Sequence, residues 1–556
     1  MTLSNKLDKF FSTPKSVLKL SIVLGIIFLI INQISNASIY NDVALYANMG
    51  HAFSVGAWSY AFSIDVPILL SIFTGLICIL GFTSLTGAMF TSGIFFIVTI
   101  FPLYGILKRI MNPKLAAWGC LFYILAPKLI RFGFSGYPES LKYFFFVMGL
   151  YLLFNYFENK KFYKIVLFGV CLAGLTLSRS EGIAFYPFLV LTFLLLYLKT
   201  NSYRPTWAII GKFIGSTIVF TVIMLAILSP RIYQLYERTG YPGTDSRQSS
   251  YIEAYMKIFE PSNSSNGVNV EISHEQTVSS NTLLTGMISL SRINYFLGVF
   301  SRGTYGLYEI LALIAIILIC KRRKWTLQLG ILIMFLLINA IIFYLISLAY
   351  RYFLFNIIVL MPFIIIGFDR FRKEFCEYRC RTILRYFCFL KPLLTRCNLK
   401  PLFTLIIFIV ALAQIYNGML NSYDRSQSYL RESGLWIGEN KELFSNPNLT
   451  NPPVIINISK QAIGYWTNLN YLNIGGGYPQ PTAGILSNWI LTGVSNKLLA
   501  PPIKPINPIA ISKPSIIVVS EPGDYPQAVD FLKHSSLVQE INTKWNRDVL
   551  IFKVLR

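Results

Sequence analysis

SIVLGIIFLIINQISNASIYNDVALYANMG, residues 21–50, decides how this chain is read. An apolar run long enough to cross hydrocarbon is followed, a few residues later, by Asp42. From Ser21 to Leu107 there is no Lys and no Arg, and the only acids are Asp42 and Asp65. An ionisable group so close to hydrocarbon is costly, and its presence points to a function. If the first span runs outward, both acids stand at the outer membrane surface. A carboxylate placed there meets substrates arriving from the lipid and from the water.

The composition extends this reading to most of the chain. Of 556 residues, 54% are hydrophobic and 13% charged, and the mean hydropathy is +0.55. A soluble protein of this length needs a more polar surface. The formal net charge of +24 does not indicate nucleic acid. Its basic residues fall in short loops between apolar runs, as a membrane-orientation bias requires, and form no aromatic-bearing groove.

The apolar pattern predicts about eleven transmembrane helices, at 17–35, 85–107, 113–131, 139–157, 163–178, 183–199, 207–229, 304–320, 326–348, 352–368 and 401–420. The first reads as a retained span rather than a cleaved signal, because its removal would leave an even number of spans. With a cytoplasmic N-terminus, roughly half of the 49 basic residues fall on the inner side, including the basic segment 369–400. The C-terminus is then outside. Residues 1–420 form the transmembrane domain, with outer loops at 36–84 and 230–303. The first loop holds two amphipathic stretches, near 43–55 and 67–80, expected to lie in the interface. Residues 421–556 form a small extracytoplasmic α/β domain, with strands at Val454–Ile458, Ile516–Val519 and Leu550–Val554 and a helix near Gln527–Lys533.

Of the eight cysteines, Cys78, Cys120, Cys171 and Cys320 read as small core residues. Cys376, Cys380, Cys388 and Cys397 share the basic segment without zinc-ribbon spacing. That segment suits anionic headgroups.

The motifs then converge. Asn41-Asp42-Val43-Ala44-Leu45-Tyr46 resembles the first outer loop of the GT-C glycosyltransferases, which take sugars from polyprenyl-phosphate carriers. These include the dolichyl-phosphate-mannose protein mannosyltransferases and the lipid A aminoarabinose transferases. Val66-Pro67-Ile68-Leu69-Leu70 resembles the opening of their interfacial helix. Ala126-Pro127 to Arg131, with Tyr137-Pro138-Glu139-Ser140, resembles the outer turn between spans three and four. Leu177-Ser178-Arg179-Ser180-Glu181-Gly182 and Arg351-Tyr352-Phe353-Leu354 resemble later outer-face turns. Each motif is short; their order and shared membrane face carry the likeness, over roughly 17–370.

The resemblance implies a GT-C fold and a site built on Asp42. Transfer to a hydroxyl needs a base, and a carboxylate made more basic by partial burial can take the proton as the bond forms. Asp42 is assigned that role, and Glu139 orients the acceptor or the base. Tyr46, Asp65, Lys128, Arg131, Lys142, Arg179, Arg351 and Tyr352 are assigned to substrate, the cations to the lipid phosphate. Two departures stand out. Val43 replaces a second acid, and Asp65-Val66-Pro67 lacks the Lys that the aminoarabinose transferases place before this proline. Glu181 is expected to pair with Arg179. Transfer should be inverting. It does not require a divalent metal, although one could assist. The expected partners are a polyprenyl-phosphate-linked sugar and a hydroxyl-bearing lipid, glycan or protein, met at a bacterial inner membrane. The competing readings are a flippase or transporter, or a polymerase or ligase, of lipid-linked saccharides. A transporter would place its ionisable groups near the bilayer midplane and show repeat symmetry; here they gather at the outer ends.

Overall fold

The computed structural model describes residues 13–34, 41–63, 66–201, 206–240, 242–245, 290–304, 306–322, 325–346, 350–373, 433, 436–437, 439–440, 454–458, 470–474, 494–495, 511–512, 516–520, 526–536, 538–541 and 549–555. Asp65, the expected span at 401–420 and the four cysteines of the basic segment lie outside them.

The described helices are α1 (Pro14–Ile34), α2 (Asn41–Ser54), α3 (Trp58–Ser63), α4 (Leu69–Ile79), α5 (Ser84–Val98), α6 (Ile100–Ile110), α7 (Pro113–Leu125), α8 (Pro127–Phe134), α9 (Glu139–Asn159), α10 (Tyr163–Ser178), α11 (Tyr186–Thr200), α12 (Trp207–Thr239), α13 (Leu290–Thr304), α14 (Gly306–Lys321), α15 (Leu327–Ile346), α16 (Tyr350–Lys373) and α17 (Pro526–His534). Among the described residues, six helices are long and apolar enough to cross a membrane: Pro14–Gln33, Ser84–Ile110, Glu139–Asn159, Ser180–Thr200, Trp207–Glu237 and Arg351–Arg370. A seventh is counted if α7 and α8, bent by 64° at their junction, form one broken span. That break is written in the sequence. Asn112 caps the start of α7 through a bond from Leu115 N at 2.9 Å, and Pro113 suits the first helical turn. At the other end Pro127 forces Ala126 out of the helical region, to ψ 113°. α10 and α15 are apolar but shorter. α12 outruns the expected span, continuing through Pro230 to Thr239.

The helices present apolar faces to the lipid. Ile214, Ile218, Val222 and Leu225 are all exposed on one side of α12, at helical spacing. Such a stripe would be an aggregation site in water.

The chain divides into two compact units. One comprises Met1–Ile27, Phe95–Arg131 and Leu141–Gly418. Its interior is aromatic. Phe146 packs edge-on to Phe335 and Phe355, at 4.9 and 4.6 Å between ring centres, and also meets Phe185. At the ends of α6 and α9, Arg109 binds Glu158 through two bonds, 2.6 and 2.7 Å.

The other unit comprises Phe28–Ile94, Phe132–Ser140 and Met419–Arg556. Here α2 and α4, the two expected interfacial stretches, pack together. Ser71 donates to the Tyr46 carbonyl at 3.1 Å. Burial pushes the Cys78 thiol up to about 11, so this α4 cysteine is a packing residue with little thiolate at neutral pH. The same unit holds a five-stranded sheet. Its strands are β1 (Val454–Ile458), β2 (Asn470–Ile474), β5 (Ile516–Ser520), β6 (Val538–Ile541) and β7 (Val549–Val554), in the order β2-β1-β5-β7-β6. β2, β1 and β5 run parallel, and β7 is antiparallel to both β5 and β6. A separate pair joins β3 (Val494–Ser495) to β4 (Ile511–Ser512). β5 reads Ile-Ile-Val-Val and is buried throughout, as a strand covered on both faces should be.

Candidate active site

Asp42 lies in the first turn of α2 and is half-buried. A carboxylate is favoured there by the exposed N–H groups of the helix start. Tyr46 follows one turn later on the same face and is buried. Glu139 opens α9 in the same way and is also buried. The two helix starts are brought together by the turn before α9. Gly136 takes φ 81°, a value that disfavours a side chain. A Cβ there would lie 2.8 Å from Val43 Cγ1 and 3.4 Å from Ala88 Cβ. The turn leading to Glu139 therefore rests directly on the residue beside Asp42. Two further bonds hold it: Ser92 and Ser140 both donate to the Gly133 carbonyl, at 2.7 and 3.1 Å. The loss of the second acid at Val43 thus has a packing role here.

The membrane-helix unit carries a cationic constellation. Lys142, one turn into α9, donates to Glu181 Oε1 at 3.0 Å. Arg179 Nε donates to the same oxygen at 3.1 Å. All three side chains are buried, at 3%, 4% and 5% exposure. Two cations thus share one carboxylate out of water. The Lys142 ammonium also stands over the rings of Phe185 and Phe355, at 5.5 and 5.3 Å. The Arg179 guanidinium stands over Tyr352, 5.0 Å from the ring centre. Arg351 reaches the other side of the motif, donating to the Tyr352 hydroxyl at 3.3 Å. The expected Arg179–Glu181 pair is present, and Lys142, 39 residues away, joins it.

Local geometry explains the turn that carries Arg179 and Glu181. Ser178 ends α10, and Arg179 is extended, at φ −153° and ψ 137°. A 3-10 turn, Ser180–Phe185, then leads into α11. Gly182 N bonds back to the Arg179 carbonyl at 2.8 Å. A Cβ on Gly182 would collide with the backbone of Leu175 and Thr176, so this position admits only glycine.

Lys128 and Arg131 lie three residues apart on α8, both half-buried. Asp65 lies outside the described residues. Sequence reading missed a third group. Ser180 Oγ donates to Asp245 Oδ2 at 2.6 Å, and Arg231 Nε donates to the Thr244 carbonyl at 3.3 Å. All four residues are buried.

The fold and a family comparison agree. The profile of the family described as dolichyl-phosphate-mannose-protein mannosyltransferase matches residues 65–230. The crystal structure of ArnT from Cupriavidus metallidurans bound to undecaprenyl phosphate matches with a TM-score of 0.58 and 12% identity, covering 96% of this chain and 97% of that one. Residues 65–230 are thus similar to that mannosyltransferase family, and the fold is similar to that of ArnT. The oligosaccharyltransferase of Archaeoglobus fulgidus, in its apo form, matches with a TM-score of 0.51 and 13% identity, over 93% of this chain and 71% of that one. Comparison by sequence with curated proteins finds no significant match. The glycosyltransferase family match, 65–230, contains Glu139, Lys142, Arg179 and Glu181.

Proposed function

We propose that this chain is a glycosyltransferase that moves a sugar from a polyprenyl-phosphate carrier to a hydroxyl of a lipid, glycan or protein, at the outer membrane face and with inversion. The observation that carries the donor class is the buried group Lys142–Glu181–Arg179 with Arg351 and Tyr352 beside it. Its cations suit a phosphate, which Arg can meet through two bonds. The matching family and the ArnT structure are both named with polyprenyl phosphates, which supports the same donor.

In the reaction, Asp42 takes the acceptor proton as the acceptor oxygen bonds to the anomeric carbon. The bond from that carbon to the phosphate oxygen breaks, and the phosphate leaves on its carrier. The cations hold that phosphate as its charge grows. Glu139 orients the acceptor. Tyr46 and Asp65 are assigned to substrate, and Lys128 and Arg131 to its phosphate.

Arg351→Ala and Arg179→Ala are expected to raise the KM for the polyprenyl-phosphate sugar by about tenfold or more, the loss of one bond to a charged group. Transfer assays in nanodiscs across donor concentrations read this. Unchanged donor KM in both variants would remove the cluster from the donor site.

We also infer eleven spans, with the N-terminus inside and the C-terminus outside, in a bacterial inner membrane. Single cysteines placed at Lys161 and at Ser536, both exposed, are expected to label from opposite sides of intact cells. Labelling from one side would sink this topology.

A further inference from the structure

We propose that Asp245 is a positioning residue for the donor site, acting through Ser180 on the turn that carries Arg179 and Glu181. The proposal rests on the assignment of that turn to the carrier phosphate. Three observations support it. Ser180 stands between Arg179 and Glu181 in sequence, so fixing its side chain fixes the backbone from which both project. Its hydroxyl donates to Asp245 Oδ2 at 2.6 Å, a short bond to a charged acceptor across 65 residues. Both side chains are buried, Asp245 at 1% exposure, where a carboxylate is retained only if it is well bonded.

The segment that brings Asp245 in is itself tied down. Arg231, in the last turns of α12, donates to the Thr244 carbonyl at 3.3 Å and to Gln234 Oε1 at 3.0 Å. The Arg179–Ser180–Glu181 turn is therefore held from two directions. Lys142 holds it from α9 through Glu181, and the segment after α12 holds it through Ser180. An arginine on a turn held at both ends loses less freedom when it grips a phosphate. Asp245 touches neither phosphate nor sugar in this scheme. Its effect is on how ready Arg179 is to bind.

The test uses the full chain in nanodiscs with undecaprenyl phosphate as the probe, reading its dissociation constant by thermal shift. Ser180→Ala and Asp245→Ala are each expected to weaken binding about tenfold, and the double variant less than additively, since the Ser180–Asp245 bond is lost in both. Asp245→Asn keeps an acceptor without the charge and should recover most of the affinity. If Asp245→Ala does not accumulate, Ser180→Ala and Asp245→Asn decide the matter. Wild-type affinity in Ser180→Ala, additive losses in the double variant, or an Asp245→Asn affinity as low as that of Ser180→Ala would overturn the proposal. Arg179→Ala is the separate control. If it leaves affinity unchanged, the donor-site reading itself falls. If it weakens binding while Ser180→Ala does not, only the role of Asp245 falls.

Discussion

Asp42→Asn is expected to lower glycosyl transfer by about 10²–10⁴-fold, the range that general-base catalysis contributes. The amide is nearly isosteric with the carboxylate but cannot take a proton at neutral pH. Asp42 lies in the first turn of α2, and the substitution keeps its shape and its acceptor oxygen. Expression and undecaprenyl phosphate binding should therefore stay near wild type. Glu139→Gln should be milder, because an amide can still orient an acceptor hydroxyl. The measurement is turnover in nanodiscs, with a panel of polyprenyl-phosphate sugars offered as donors. Near-normal turnover in Asp42→Asn would take Asp42 out of the chemistry.

Glu181→Gln should damage the protein itself. Glu181 Oε1 accepts from both Lys142 and Arg179, and none of the three side chains is more than 5% exposed. Breaking a buried ion pair by removing one partner typically costs about 3–5 kcal/mol, because the remaining charge is stranded. Folded yield, read by fluorescence-detected size exclusion, should fall sharply. The double variant Lys142→Met/Glu181→Gln removes one stranded cation and should recover much of that yield. A second readout separates charge balance from packing. In the proposed site undecaprenyl phosphate brings a negative charge to these cations, so it should raise the melting temperature of Glu181→Gln more than that of wild type. Wild-type stability in Glu181→Gln, with no larger response to the lipid, would show that Glu181 does not balance Lys142 and Arg179.

Much of this protein can be read along the chain, because membrane helices announce themselves locally. The expected span 139–157 is seen as Glu139–Asn159, and the expected 163–178 as Tyr163–Ser178, an apolar helix shorter than a full span. The interfacial stretches near 43–55 and 67–80 are α2 and α4. The strand at Val454–Ile458 is seen with the same bounds, since a short β-branched run between turn residues has few alternatives. The strands Asn470–Ile474 and Val538–Ile541 escaped notice because their polar residues interrupt the pattern. The span at 113–131 hid its break for a different reason. Hydropathy runs straight through Ala126-Pro127, and only the backbone consequence of the proline bends it by 64°.

What the sequence by itself determined is the class of the protein and the ionisable residues at its helix ends. Charge is so costly in hydrocarbon that each retained ionisable residue marks itself. Asp42, Arg179 and Arg351 are singled out as candidates for that reason. What only the tertiary structure decided is which of these residues meet. Lys142 and Glu181 are 39 residues apart, and Ser180 and Asp245 are 65 apart. No local pattern encodes either pairing. Both are set by which helix ends pack together, and packing is a property of side-chain shape across the whole bundle. The same holds for Gly136 against Val43, where a missing Cβ lets the Glu139 turn rest beside Asp42.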